Sequence, residues 1–168
     1  MGVCRVLVPL ALVLATSMGF GQGSSAKQYG DLRDKGYEAQ NAGKNEDAQK
    51  FFKSALEING QDGQVWISYA QVSSKTGAFD EALRATQKVL ELGGFGAKAK
   101  AVAYFERACI FAKKGDAKSA WANLDLAMSS GFRSLPQLQK EPRLEILHKD
   151  AKWEEVTATK DVAKMSRT

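Results

Sequence analysis

Apolar and small residues recur along the chain at spacings of three and four, and single glycines interrupt them. Leu32, Gly36 and Ala39 precede Gly43, and Ala48, Phe52, Ala55 and Leu56 follow it. Trp66, Tyr69, Ala70 and Ser73 precede Gly77, with Ala82, Leu83, Val89, Leu90 and Leu92 beyond. Tyr104, Ala108 and Phe111 precede Gly115, with Ala120, Trp121, Leu124 and Ala127 beyond. Such spacing puts the apolar residues on one face of a helix, so each stretch predicts two helices with a turn between them. The glycine supplies the positive φ that a tight turn needs. Acids follow it promptly, as Glu46 and Asp47, Asp80 and Glu81, or Asp116, where the amino-terminal dipole of the next helix favours negative charge.

The three stretches share a register. Gly43, Ala48, Phe52, Ala55 and Gly60 become, 34 residues later, Gly77, Ala82, Thr86, Val89 and Gly94, and a fixed period of this length marks a repeat. Gly115, Ala120, Leu124 and Ala127 keep the internal spacing but lie 38 residues beyond the second set. The four extra residues fall in GGFGAKAK and read as a lengthened connection. Small residues at Ala48 and Ala55 let helices approach closely while Phe52 fills the adjoining hollow. A helix pair buries only part of its stripe, so neighbouring pairs must cover the rest.

These marks resemble the tetratricopeptide repeat, and Trp66, Tyr69, Ala70, Gly77, Phe79, Ala82 and Leu90 make the middle block the best match. The first block has Leu32 in place of the early tryptophan; the third has Tyr104 there, and Arg107 where leucine is usual. All three lack the closing proline, replaced by Gly60, Gly94 and Phe132. The resemblance implies an all-α fold, a short right-handed α-solenoid of about three helix-turn-helix repeats plus C-terminal capping helices. Repeats are expected at 29–62, 63–96 and 101–134, within 29–132, followed by the cap at 133–168. In that last segment Gly131, Phe132, Leu138, Glu141, Pro142, Leu144, Leu147, Asp150 and Trp153 are similar to a C-terminal extension of bacterial tetratricopeptide proteins. Glu141 stands there for an aspartate and Ala151 for a proline.

The amino terminus has Arg5, an uncharged apolar run from Val6 to about Phe20, and then small residues. That is the layout of a secretory signal peptide, expected at 1–21 with cleavage after Gly21 in preference to Ala26, and a linker at 22–28. The run is too short, with Pro9 inside it, for a spanning helix. Cys4 precedes the run, so no lipid anchor is expected. The predicted location is therefore exported, bacterial periplasmic or secreted. Cleavage leaves Cys109 as the one cysteine, and stability must come from packing instead of a disulfide. The net charge of +5 is mild and its lysines are interleaved with acids; nucleic-acid binding needs a concentrated basic stripe, so none is expected.

Candidate chemistry adds little. His148 is the single histidine and has no second ligand of its kind for a zinc site. Cys109 sits in an apolar helical stripe, which favours a structural role over a nucleophile. GGFGAKAK lacks the spacing of a phosphate-binding loop and follows a helix. No catalytic residue, metal or cofactor is assigned, and the chain is expected not to be an enzyme. The resemblance instead implies a concave wall built from the first helix of each repeat. It places Gly30, Arg33, Tyr37, Gln40 and Asn41 there from the first block; Gln64, Ile67, Gln71, Ser74 and Lys75 from the second; and Val102, Phe105, Cys109, Ala112 and Lys113 from the third. The peptide-clamp asparagine position carries Tyr37, Gln71 and Cys109, which argues against a chaperone-tail clamp. Arg33, Lys75 and Lys113 bias the wall towards acidic partners. The expected function is a noncatalytic scaffold or adaptor for a protein or peptide. The alternative is a structural or assembly subunit of an envelope complex.

Overall fold

The computed structural model describes residues 20–93 and 96–158, and over them the chain is helical in consecutive antiparallel pairs. Helices α1 (Phe20–Asn41) and α2 (Asn45–Ile58) form the first pair, α3 (Gly63–Lys75) and α4 (Phe79–Leu92) the second, and α5 (Gly96–Lys113) and α6 (Ala117–Ser129) the third. A short helix α7 (Leu135–Lys140), a 3₁₀ helix (Pro142–Lys149) and α8 (Ala151–Ala158) follow. The leader expected at 1–21 lies outside the described residues except at its last two positions, which begin α1. The tail beyond Ala158 lies outside them as well.

The turns form for the predicted reason. Gly43, Gly77 and Gly115 have φ of 73°, 81° and 81°, which only glycine adopts without steric cost. Each second helix then starts beside its acids: Glu46 and Asp47 in α2, Asp80 and Glu81 in α4, and Asp116, whose side chain accepts from Ser119 N–H at the start of α6. Asp62 caps α3 through Gln64 N–H and Val65 N–H, and it also accepts from the Tyr29 hydroxyl. One carboxylate thus starts α3 and ties it to α1.

The small residues sit at the predicted contacts. Ala48, Phe52 and Ala55 are fully buried, as are Ala82 and Thr86, and Ala120, Leu124 and Ala127. The Phe52 ring lies over Gly36 and meets Tyr37 edge-on at 5.1 Å. At the register position of Phe52 stands the smaller Thr86, and Ala70 stands at that of Gly36, both fully buried. The Arg107 guanidinium reaches Thr86 from α5, donating to the Thr86 hydroxyl and the Leu83 carbonyl, each at 3.4 Å. The unusual arginine therefore ties α5 to α4. Gln49 links three helices by donating to the Ser73 hydroxyl at 3.1 Å and the Glu81 carboxylate at 2.9 Å.

Two expectations about connections need correction. The linker expected at 22–28 is part of α1. The lengthened connection GGFGAKAK is helical from Gly96 onward, so the four extra residues extend α5 at its amino-terminal end. Alanines and lysines are strong helix formers, and here they prolong the helix that follows.

The C-terminal segment packs onto the third pair. Phe132 stacks on Phe105 with ring centroids 4.4 Å apart and planes 8° from parallel. Leu138, Leu144, Leu147 and Val156 join one buried cluster with Phe105, Ala120 and Leu124. Glu141 starts the 3₁₀ helix by accepting from Arg143 N–H.

Candidate partner-binding surfaces

The first helices α1, α3 and α5 are joined by a chain of side-chain contacts. Gln40 donates to Gln71 at 3.4 Å, and Gln71 donates to the Glu106 carboxylate at 2.9 Å. Arg143, from the C-terminal segment, donates to the other Glu106 oxygen at 2.8 Å and grips Glu141 at 2.7 and 2.8 Å. Glu106 is 1% exposed, so its charge is tolerated only because Arg143 and Gln71 satisfy it. Burial alone would raise the Glu141 carboxyl, but the hydrogen bonds and charge of Arg143 outweigh it and hold Glu141 below the ordinary carboxylate range. Against its own burial, Arg143 is held more firmly protonated by Glu141 and Glu106.

The expected wall separates into three kinds of residue. Asn41, Lys75 and Lys113 are exposed, at the carboxy-terminal ends of α1, α3 and α5. Arg33, Tyr37, Gln40 and Gln71 are half-buried. Arg33 pairs with Asp34 at 2.9 Å and lies over the Tyr29 ring at 5.8 Å; the Gln71 amide is engaged by Gln40 and Glu106.

Ile67, Ser74, Phe105 and Cys109 are buried, which corrects their placement on an open wall. Ile67 packs with Val89 and Ala103 between the second and third pairs. Phe105 and Cys109 belong to the cluster completed by Phe132 and the C-terminal segment. Burial also raises the Cys109 thiol well above its ordinary range, only partly countered by Arg143, so it is a poor thiolate. His148 is exposed, with its ring 4.3 Å from that of Trp153. Among the described residues no cluster of three or more metal-ligating side chains occurs, and no helix is long and apolar enough to cross a membrane.

A second concavity lies on the other side of α3. Tyr69 and Gln71 are two residues apart, roughly 160° around the helix at 3.6 residues per turn. A cleft of about 360 Å³ opens there between α2 and α4, lined by Lys53, Leu56 and Glu57, by Trp66 and Tyr69 from α3, and by Glu81, Arg84, Ala85 and Lys88. An adjoining cleft of about 390 Å³ shares Lys53, Tyr69 and Glu81 and runs on to Glu46, Gln49 and Lys50. The Tyr69 hydroxyl donates to Glu81 at 2.9 Å, and burial with this bond pushes its pKa up to about 12. Trp66 Nε1–H donates to the Gly60 carbonyl at 2.9 Å. Sequence reasoning used Trp66 and Tyr69 only as repeat markers; the spacing of Lys53 and Glu57 on α2 and of Arg84 and Lys88 on α4 was the available signal for a shared groove.

No curated protein matches the chain. Residues 40–103, from the end of α1 into α5, match the family model described as Tetratricopeptide repeat, and over this span the chain is similar to that family.

Proposed function

We propose that the chain is a noncatalytic protein-interaction scaffold that works outside the cytoplasm and receives a peptide or protein along the face of α1, α3 and α5. Similarity to the tetratricopeptide repeat supports a protein partner in general. The observation that carries the location is the exposed row Asn41, Lys75 and Lys113, which ends three adjacent helices at one register position. Two ammonium groups and an amide in a row favour an acidic or hydrogen-bonding segment. Burial of Phe105 and Cys109 narrows the usable face towards the first two pairs, where Arg33, Tyr37 and Gln40 border it. Export rests on the apolar run behind Arg5, and the C-terminal segment is read as a bacterial-type cap from its Leu, Pro and Trp pattern.

The test uses the chain beginning at Gln22 as immobilised bait against an envelope extract, beside a Lys75→Glu/Lys113→Glu variant. A specific partner retained by the parent and lost by the variant, with unchanged thermal melting, is the expected result. Equal retention by both would move the interaction off this face. Amino-terminal sequencing of the exported chain should begin at Gln22; an uncleaved chain in the cytoplasm would overturn the location.

A further inference from the structure

We propose that Arg107 is the anion-recognising centre of a second docking site, which takes the carboxylate of an aspartate or glutamate standing beside an apolar residue in a protein partner. Arg107 is half-buried on α5, about 100° round that helix from Glu106 and its contact with Gln71. All of its hydrogen-bond partners are neutral. Nε donates to the Asn123 side chain at 3.2 Å, and Nη1 donates to the Leu83 carbonyl and the Thr86 hydroxyl at 3.4 Å each. Nη2 has no acceptor among the described residues, and no carboxylate there pairs with the guanidinium. Arg143, also drawn into the fold, is held instead by Glu106 and Glu141. Burial lowers the Arg107 pKa below the ordinary arginine value, opposed only by Tyr104. A cation drawn partly out of water without a counter-charge is the condition that an incoming anion relieves.

The repeat register shows what is missing. Arg107 and Ser119 stand 38 residues beyond Tyr69 and Glu81, and in the second pair Tyr69 donates to Glu81 at 2.9 Å. The third pair thus has a guanidinium at the donor position and a serine where the carboxylate would stand. Asn123 accepts from Arg107 while its own N–H donates to the Ser119 carbonyl at 2.8 Å, which fixes the amide and keeps Ser119 close. The guanidinium also lies over the Phe111 ring, 5.9 Å from its centroid. The donor is therefore held in place before a ligand arrives, which reduces the entropy lost on recognition.

The surroundings select the partner. The carboxylates of α4 and α6 on either side are already engaged: Asp80 with Lys114, Glu91 with Lys88, Asp125 with Lys152, and Asp116 with Ser119 N–H. None of these competes with an incoming acid. Leu126 lies one turn beyond Asn123 on α6 and is 45% exposed, the most open of the large apolar side chains among the described residues. It offers a contact that a free anion would not use, so the ligand that fits both features is an acidic side chain with an apolar neighbour. The planar guanidinium suits a carboxylate in a way that an ammonium does not.

The probe is a capped Leu-Glu-Leu tripeptide titrated into the chain beginning at Gln22, with NMR following the Arg107 Nε–H and the Leu126 methyl groups. Saturable shifts of both signals are expected, with a Kd of about 1 mM, weakened about fivefold or more for the Leu-Gln-Leu peptide and for sodium acetate. Leu126→Ala should weaken the peptide to the level of acetate. Ser119→Glu supplies an internal carboxylate at the register of Glu81, so it should abolish peptide binding and raise the melting temperature. Arg107→Lys keeps the charge but loses the planar fork and should weaken binding; the Leu126 and Ser119 variants decide the matter if that change disturbs the fold. Lys75→Glu/Lys113→Glu should leave the shifts unchanged. Absence of a saturable shift, equal affinity for the glutamine peptide or acetate, or full binding by Ser119→Glu would overturn the proposal. Loss on Lys75→Glu/Lys113→Glu alone would do so too, by assigning carboxylate recognition to the face of α1, α3 and α5.

Discussion

Gly36 faces Phe52 so closely that a methyl group placed on it would lie 2.5 Å from a ring carbon. The ring cannot swing clear, because it is fully buried and Tyr37 stands against it. Gly36→Ala should therefore lower stability by about 1 to 3 kcal/mol through overpacking, despite the better helix propensity of alanine. Chemical denaturation measures it, and a neutral or stabilised variant would show that Phe52 yields. Phe105 presents the opposite case. It was expected on an open wall, yet it is buried under Phe132, so Phe105→Ala should cost about 3 to 5 kcal/mol and any effect on partner capture would follow from unfolding. Repeat spacing identified the helix face on which Phe105 lies but could not reveal its cover, because that cover comes from a segment 27 residues later. Arg107 teaches the same lesson. In sequence it is a departure from the repeat, and its role became visible only when Thr86 was found opposite it.

At the scale of elements, the turn glycines, the first-turn acids and the alternation of small and large residues were legible because they are local consequences of helix geometry. The start of α5 was not, since a glycine-rich connection and the amino-terminal end of a helix look alike when alanine and lysine follow. The attachment of the C-terminal segment was legible in its leucines and obscure in its polar contact. Glu106 and Arg143 are far apart in sequence, and nothing local predicts that they pair at 2.8 Å. Arg143→Ala would strand the buried Glu106 carboxylate and should cost about 3 to 5 kcal/mol, more than a Glu106→Gln/Arg143→Met double variant that removes both charges. Thermal melting of the set checks the order. The pH dependence has a definite sign. Glu141 has a lowered carboxyl in the folded chain, so its contribution is present above the unfolded carboxylate value and is lost as pH falls through the folded value. Acid should therefore destabilise the parent more steeply than the Arg143→Met variant. Parallel acid profiles would remove Arg143 as the source of that dependence.

Across the whole molecule the buried residues gather into two main cores. One joins α1, α2 and α3 through Phe52, Val65, Tyr69 and Val72, and the other joins α5, α6 and the C-terminal segment through Phe105, Leu124, Leu144 and Leu147. Between them lies a small cluster of Ile67, Val89 and Ala103, bordered by Leu90 and Val102. Stacked repeats are stable through nearest-neighbour interfaces, so cooperativity between the halves depends on how well that interface is packed. The Gln71–Glu106 hydrogen bond and Arg107 also cross it, but they are few. Ile67→Ala removes the largest aliphatic group of the bridge and should cost about 2 to 5 kcal/mol. Its more informative effect is on the shape of unfolding. Trp66 borders both the first core and the bridging cluster, whereas Trp121 and Trp153 pack in the second core, so single-tryptophan versions report the first half with its bridge and the second half separately. With Ile67 present, the two reporters should melt together in one transition. With Ile67→Ala they should separate, the half carrying Phe105 and Arg143 behaving as its own unit. Coincident transitions in the variant would mean that the hydrogen bonds between α3 and α5 and the packing of Arg107 couple the halves without the aliphatic bridge.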